Sequence, residues 1–370
     1  MERLDTINIG EILRNSRESL GYTQEEIGEK LGLGRDAIIR IEKGTRKISV
    51  DEIRKFMDLY NLNIEDILFS NPIDKVDIKG IILAGGSGTR LYPITRGISK
   101  QLVPVYDKPM IYYSLSTLML AGIKDILIIT TKEDQDNFKK LLGNGSRFGI
   151  NLEYAVQEKP NGLAEAFIIG EDFIKDKPCA MVLGDNIFYG SGLKNELIQA
   201  SVNASNGYAT IFGYEVKDPE RFGIMELDNN NNVLSVEEKP EKPKSDYAIT
   251  GLYFYPQGVS EYAKSLKPSK RNELEITTLN DIYLKQKKLK ARLLNEGYSW
   301  FDTGTFDSLL EASNMVQAVE NNRDKIICSP EIIAYNNKWI TKRQLLECAE
   351  EMSKNNYGQK LKKHVENKED

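Results

Sequence analysis

Along residues 6–69 apolar side chains recur at three- and four-residue spacing, in "IGEILRNSRESLG", "TQEEIGEKLGL", "GRDAIIRIEKG", "SVDEIRKFMDLYN" and "NIEDILF". That is the period of amphipathic helices and predicts a small all-α domain. Helix starts are marked as well: Thr23 with Glu26 three residues later spells a capping box, and Ser49, Asn61 and Asn63 suit N-caps. From Lys79 onward the pattern changes. Short apolar runs, "GIILA", "DILIIT", "CAMVLG" and "ATIFGYEV", alternate with amphipathic stretches such as "PMIYYSLSTLML" and "LAEAFIIGEDFI". Strand alternating with helix predicts an α/β domain around a mostly parallel, Rossmann-like sheet. The expected boundaries are 1–69 for the helical domain, 70–78 ("SNPIDKVDI", with Pro72) for a joint of roughly 30 Å at full extension, and 79–370 for the sheet domain.

Composition narrows the chemistry. The 370 residues carry a net charge of −5, too mild for a chain that mainly coats nucleic acid or membrane. Cys179, Cys328 and Cys348 lie far apart without ligand spacing and read as reduced structural thiols. No apolar leader opens the chain, and its longest apolar stretch, "MIYYSLSTLMLAGI", is too short to span a bilayer, so a cytoplasmic protein with no membrane partner is expected. The single histidine, His364, falls in the charged tail "LKKHVENKED" and reads as solvated, which leaves no histidine for acid–base catalysis.

If residues 80–84 form the first strand of an open sheet, "GGSGTR" lies at its carboxyl end, where such sheets bind ligands. Gly85, Gly86 and Gly88 are followed by Thr89-Arg90, which is neither Walker nor dinucleotide spacing. Glycines let backbone N–H groups converge on an anion, and the Arg90 fork suits phosphate oxygens. Asp185, at the end of "CAMVLGD", makes either a turn or a metal ligand; Asp302, by its spacing, reads as a cap of the helix "TFDSLLEASN"; Lys100 and Lys239, taken alone, are solvated charges.

The run "KGIILAGGSGTRLYPITRGISKQLVPVYDKPMIYYSLSTLMLAGIKDILII" resembles the opening of the sugar-nucleotidyltransferases, most closely the glucose-1-phosphate thymidylyltransferases. The likeness continues through "LGDNIFYG", "DPERFGIMEL", "VEEKPEKPKSDYAITGLYFY", "ELEITTLNDIYL", "SWFDTGTFDSLLEASN" and "KNNYGQ". It implies exchange of dTTP and α-D-glucose 1-phosphate for dTDP-glucose and pyrophosphate, with Mg²⁺, in a dimer-based homotetramer. By the same resemblance Gly85, Gly88, Thr89, Arg90, Lys100, Gln157, Gly162 and Asn186 would hold the nucleotide, Gln157 and Gly162 at the base edge. Gly223, Glu238, Lys239 and Ile249 would contact the sugar phosphate, Asp185 and Asp302 the metal, and Arg90, Lys239 and Asp185 would carry catalysis. A transferase half that senses nucleotide sugars without turnover, or the same chemistry on UTP or CTP, stays open.

Residues 7–69 resemble the helix-turn-helix domain of the lambda-repressor-like regulators through "LGYTQEEIGEKLGLGRDAIIRIEKGTRKISVDEIRKF", with "RDAIIRIEKG" as the recognition helix. Gly34 and Asp36 depart from the Ser or Thr usual at its start. Residues 1–70 hold 11 basic against 14 acidic side chains, yet Arg35 to Lys55 holds 7 against 4. DNA is therefore the expected partner of residues 23–47 through Gln24, Arg35, Arg40, Lys43 and Arg46, with Lys47 alongside, and ligands of the transferase half would tune that binding. Protein docking by the same fold is the alternative.

Overall fold

A computed structural model describes residues 6–60, 77–86 and 88–366. The chain divides into two compact units, 1–75 and 76–370. The helix expected in "NIEDILF", the caps Asn61 and Asn63, and most of the joint lie outside the described residues.

In the small unit four helices form: α1 (Thr6–Ser19), α2 (Gln24–Leu31), α3 (Arg35–Glu42) and α4 (Val50–Tyr60). Thr23 and Glu26 make the expected capping box on α2, and Ser49 and Glu52 exchange the same two bonds at α4. The helical period brings Leu13, Ile27, Leu31, Ile38, Ile41, Phe56 and Tyr60 into one core, each such burial contributing about 1.5–3 kcal/mol.

The large unit is built on strands. In chain order they are β1 (Lys79–Ala84), the hairpin β2 (Pro104–Val105) and β3 (Lys108–Pro109), β4 (Asp125–Thr130), β5 (Asn151–Val156), β6 (Cys179–Leu183) and β7 (Asn186–Gly190). There follow β8 (Ala209–Glu215), β9 (Gly223–Leu227), β10 (Val233–Glu238), β11 (Tyr247–Tyr255), β12 (Leu289–Leu293) and β13 (Tyr298–Asp302). Among the described residues nine strands make one sheet, ordered β10-β9-β11-β6-β1-β4-β5, with β8 pairing β11 and β12. The four strands β6-β1-β4-β5 are parallel. Ile82 and Ala84 of β1 enter one core while Ile81 and Leu83 enter the other, so helices cover both faces of this half. Beyond β6 the sheet becomes mixed: β11 runs antiparallel to β6 and β8, and β9 and β10 form an antiparallel pair. Only residues 228–232 join β9 to β10, too few for the crossover a parallel pair needs.

Two details depart from the sequence pattern. The stretch "LAEAFIIGEDFI" forms two short helices, Glu165–Ile169 and Glu171–Ile174, parted at Gly170 where the chain packs against Ile81 and Leu127. His364 is not simply solvated: it sits half-buried on the helix Asn356–Glu366, against Asn336 and the Tyr335 ring. All three cysteines are free, with Cys179 in the core. No helix among the described residues is long and apolar enough to cross a membrane.

Candidate functional site

β1, β4 and β6 end together, and their carboxyl edge carries the glycine loop. Gly86 (φ 124°) and Gly88 (φ 55°) hold it in backbone conformations that suit glycine. With Gly85, Thr89 and Arg90 they line a cavity of about 260 Å³, closed on the far side by Lys100, Asp185 and Gly304. A β-carbon on Gly304 would lie 2.9 Å from the Arg90 guanidinium, so this glycine lets Arg90 cross the turn after Asp302. Arg90 is exposed and has no carboxylate partner among the described residues.

The opposite wall carries Asp185, and a second carboxylate lies beside it. The antiparallel pairing of β7 with β13 sets Asp302 opposite Asn186, next to Asp185, and Thr303 Oγ1 donates to the Asp185 carbonyl at 2.7 Å. The Asp302 alternative as a helix cap is settled: Thr305 caps the helix Phe306–Arg323, with Ser308 completing the box. Lys100 Nζ lies 2.6 Å from Asp185 Oδ2, and Asn186 Nδ2 donates to Asp185 Oδ1 at 3.0 Å. Burial works to raise Asp185, but the Lys100 ammonium and these hydrogen bonds hold its carboxyl below the ordinary value. Burial, and then the Asp185 charge, push Asp302 upward. Two hard carboxylates that repel one another fit a divalent cation. Among the described residues no cluster of three or more such ligands exists, so a cation here would complete its shell from phosphate and water, as Mg²⁺ does.

Asn186 is a scaffold for this wall. It is 2% exposed; its Oδ1 accepts from Trp300 Nε1 at 2.6 Å and from the Gly251 N–H at 3.1 Å, so its amide is committed beneath Asp185.

Two further groups flank the cavity residues in the fold. On one side a cleft of about 510 Å³ is lined by Gly86, Lys100, Gln157 and Pro160. Gln157 and Gly162 lie together there, Gln157 Nε2 reaching the Gly162 carbonyl at 3.4 Å. On the other, β9, β10 and β11 gather the expected sugar-phosphate residues. A β-carbon on Gly223 would sit 3.0 Å from Thr277, 3.4 Å from Glu238 Oε2 and 3.8 Å from Ile249. Glu238 accepts from Thr277 Oγ1 at 3.1 Å and from Arg271 at 3.2 Å; burial and then Glu275 raise its carboxyl. Lys239 is exposed just past β10, with φ of 41° and its N–H bonded to the Phe222 carbonyl at 3.0 Å. Arg271 and Thr277 were missed from the sequence. Arg271 lies in the charged run "PSKRNELEITT", where only tertiary contact with Glu238, Glu273 and Glu275 distinguishes it from a solvated cation.

In the small unit α3 turns Ile38 and Ile41 inward and leaves Arg35, Asp36, Arg40 and, just beyond, Lys43 exposed. None of these four side chains bonds to a neighbour among the described residues, whereas two of the other expected DNA contacts are engaged within the fold. Gln24 Nε2 donates to Glu42 Oε2 at 2.8 Å, and Arg46 pairs with Glu52 at 2.8 Å. Glu42 also holds Arg17 at 2.6 Å.

A glycine loop and paired carboxylates at the carboxyl edge of a parallel sheet describe an enzyme that handles nucleoside phosphates. The model of the nucleotidyl transferase family matches residues 79–319, and the chain belongs to that family. Its large unit is a nucleotidyltransferase whose curated relatives are glucose-1-phosphate thymidylyltransferases. The chain is 57% identical to the one from Neisseria meningitidis serogroup A over 284 residues, 77% of this chain and 98% of that protein. It is 51% identical to the one from Mycobacterium tuberculosis, again over 77% of this chain and 98% of the relative. Among solved structures, a UDP-glucose pyrophosphorylase complexed with UDP-glucose shares 26% identity at a TM-score of 0.58, over 65% of this chain and 98% of that one. A helix-turn-helix family model matches residues 13–67.

Proposed function

We propose that the large unit transfers a thymidylyl group from dTTP to α-D-glucose 1-phosphate, giving dTDP-glucose and pyrophosphate. The observation that carries this is Arg90, without a carboxylate partner among the described residues, on the same cavity of about 260 Å³ as the Lys100–Asp185 pair, with Asp302 next to Asp185 on the paired strand. The names of the relatives specify the base and the sugar. A sugar-phosphate oxygen attacks the α-phosphorus in line; the bond from that phosphorus to the bridging oxygen breaks, and pyrophosphate leaves with the electron pair. The attacking monoester is already largely ionised near pH 7, so no general base is required and the absence of a histidine at the site is no obstacle. Repulsion between anions is the barrier. Lys239 draws the sugar phosphate in, Lys100 and the glycine-loop N–H groups hold the triphosphate, and Arg90 meets the charge growing on pyrophosphate. Asp185 and Asp302 would hold Mg²⁺, which supplies Lewis-acid neutralisation of phosphate charge when bound. Pyrophosphate release with dTTP, glucose 1-phosphate and Mg²⁺ is the test; binding of all three without release would leave a nucleotide-sugar sensor instead.

For the small unit we infer DNA binding through Arg35, Arg40 and Lys43, supported by the helix-turn-helix match and by the exposure of these cations. A homo-oligomer, as the dimer-based tetramer the resemblance implies, would pair these units over half-sites about one DNA turn apart. Preference for a genomic fragment over random DNA at physiological salt checks it, with and without dTDP-sugar; equal affinity for both would leave a protein-docking role.

A further inference from the structure

Gln157 follows β5 and is 9% exposed. Its amide nitrogen donates to Glu165 Oε2 at 2.7 Å, while Glu165 Oε1 accepts from Asn161 Nδ2, also at 2.7 Å. An ionised carboxylate only accepts hydrogen bonds. An amide oxygen turned toward Glu165 would meet a like charge, so the Gln157 amide is held in one of its two orientations. The segment that carries Asn161 and Glu165 is itself fixed. Gly162 has φ of 107°, and a β-carbon there would lie 2.5 Å from the Leu274 backbone. Leu274 N donates to the Asn161 carbonyl at 2.6 Å, and Ala164 N to the Leu274 carbonyl at 3.1 Å. Gln157 Oε1 is therefore turned the other way, toward Gly85, whose β-carbon position is 3.1 Å from it. No side chain or N–H among the described residues donates to this oxygen, and Gln157 lines the 510 Å³ cleft beside the glycine loop.

We propose that Glu165 is the positioning residue that sets the choice of base. By holding the Gln157 amide, it presents a bare acceptor to the nucleotide, which selects a pyrimidine with an N3–H donor, thymine or uracil. Cytosine carries an acceptor at N3 and is refused. This rests on the reading that Gln157 meets the base, and it removes CTP from the open alternatives while leaving UTP.

The experiment is the ratio of kcat/KM for dTTP to that for dCTP, with dUTP as the matched control, measured by pyrophosphate release on the full chain. It compares the natural protein with Glu165→Gln and Gln157→Ala. Glutamine at 165 can donate or accept, so only the long 3.4 Å bond to the Gly162 carbonyl still favours the natural orientation of the Gln157 amide and the flipped one becomes accessible; the dTTP to dCTP ratio should fall at least about tenfold, with dUTP following dTTP. Purely structural damage would lower both rates together and leave the ratio unmoved, which overturns the proposal. If Gln157→Ala collapses the ratio while Glu165→Gln preserves it, the base reading stands and the role of Glu165 falls. If Gln157→Ala preserves the ratio, Gln157 does not read the base and both ideas fall. Equal use of dCTP and dTTP by the natural protein also overturns the proposal.

Discussion

Each unit of this protein contains a short ion pair that is largely withdrawn from water. Arg17 meets Glu42 at 2.6 Å in the small unit, and Lys100 meets Asp185 at 2.6 Å in the large one. The surroundings differ. Glu42 accepts from Arg17 Nε, Arg17 Nη2 and Gln24 Nε2, its side chain is 3% exposed, and nothing is left over for a ligand. The Asp185 side chain is 22% exposed at the wall of a cavity, beside a second carboxylate whose proton affinity is raised and opposite an arginine that has no carboxylate partner among the described residues. The first pair closes its own electrostatics; the second leaves an imbalance for a substrate to correct. Distance alone does not separate a closed ion pair from one open to a ligand, but the state of the neighbouring groups does.

The sharpest way to break this comparison is to remove charge from the open site. Asp185→Asn and Asp302→Asn should each lower turnover by roughly 10³-fold or more, above the loss of a single transition-state donor, with the thermal melt of the large unit preserved. Normal turnover at ordinary Mg²⁺ would remove that residue from the metal site. Next in size, Arg90→Ala should cost about 10²- to 10³-fold in kcat while the KM for glucose 1-phosphate moves little, because its contact strengthens as pyrophosphate departs; a change confined to that KM would place Arg90 elsewhere.

The closed pair should answer in a different observable. Glu42→Gln leaves buried Arg17 with only the half-exposed Glu18 as counter-charge and should destabilise the small unit by up to about 3–5 kcal/mol, read by hydrogen exchange of α1 to α4 in the intact chain, with pyrophosphate release unchanged. A matching fall in turnover would mean that the pair is not merely structural. The smallest effect concerns the exposed cations: Arg40→Ala with Lys43→Ala should reduce the salt dependence of DNA binding by about two counterions. A slope that stays the same would take these residues off the phosphate backbone.

Local features of both units were legible in the chain. The capping box at Thr23, the N-cap at Ser49, the apolar faces of α2 and α3, the strand Lys79–Ala84 and the glycine loop after it depend on residues only a few positions apart. The split at Gly170 was not, since the run on either side keeps an apolar helical pattern and the break comes from contact with β1 and β4. Nor was the antiparallel half of the sheet, because an apolar run looks the same whichever way its neighbour travels.

Sequence by itself determined the helical and α/β characters of the two units and the place of the glycine loop. These follow from side-chain periodicity, backbone freedom and residue type, all of which act over a turn or a strand. Which charges are spent and which are free was decided only by tertiary structure. Arg46 and Arg40 are alike in the chain, yet one is taken by Glu52 and the other is left exposed. Arg271 joins Glu238 from 33 residues away, and Asp302 reaches the Asp185 wall only because β13 pairs with β7. Coulomb attraction and hydrogen bonding depend on separation in space, and separation in space between distant segments is set by how the sheet and helices pack.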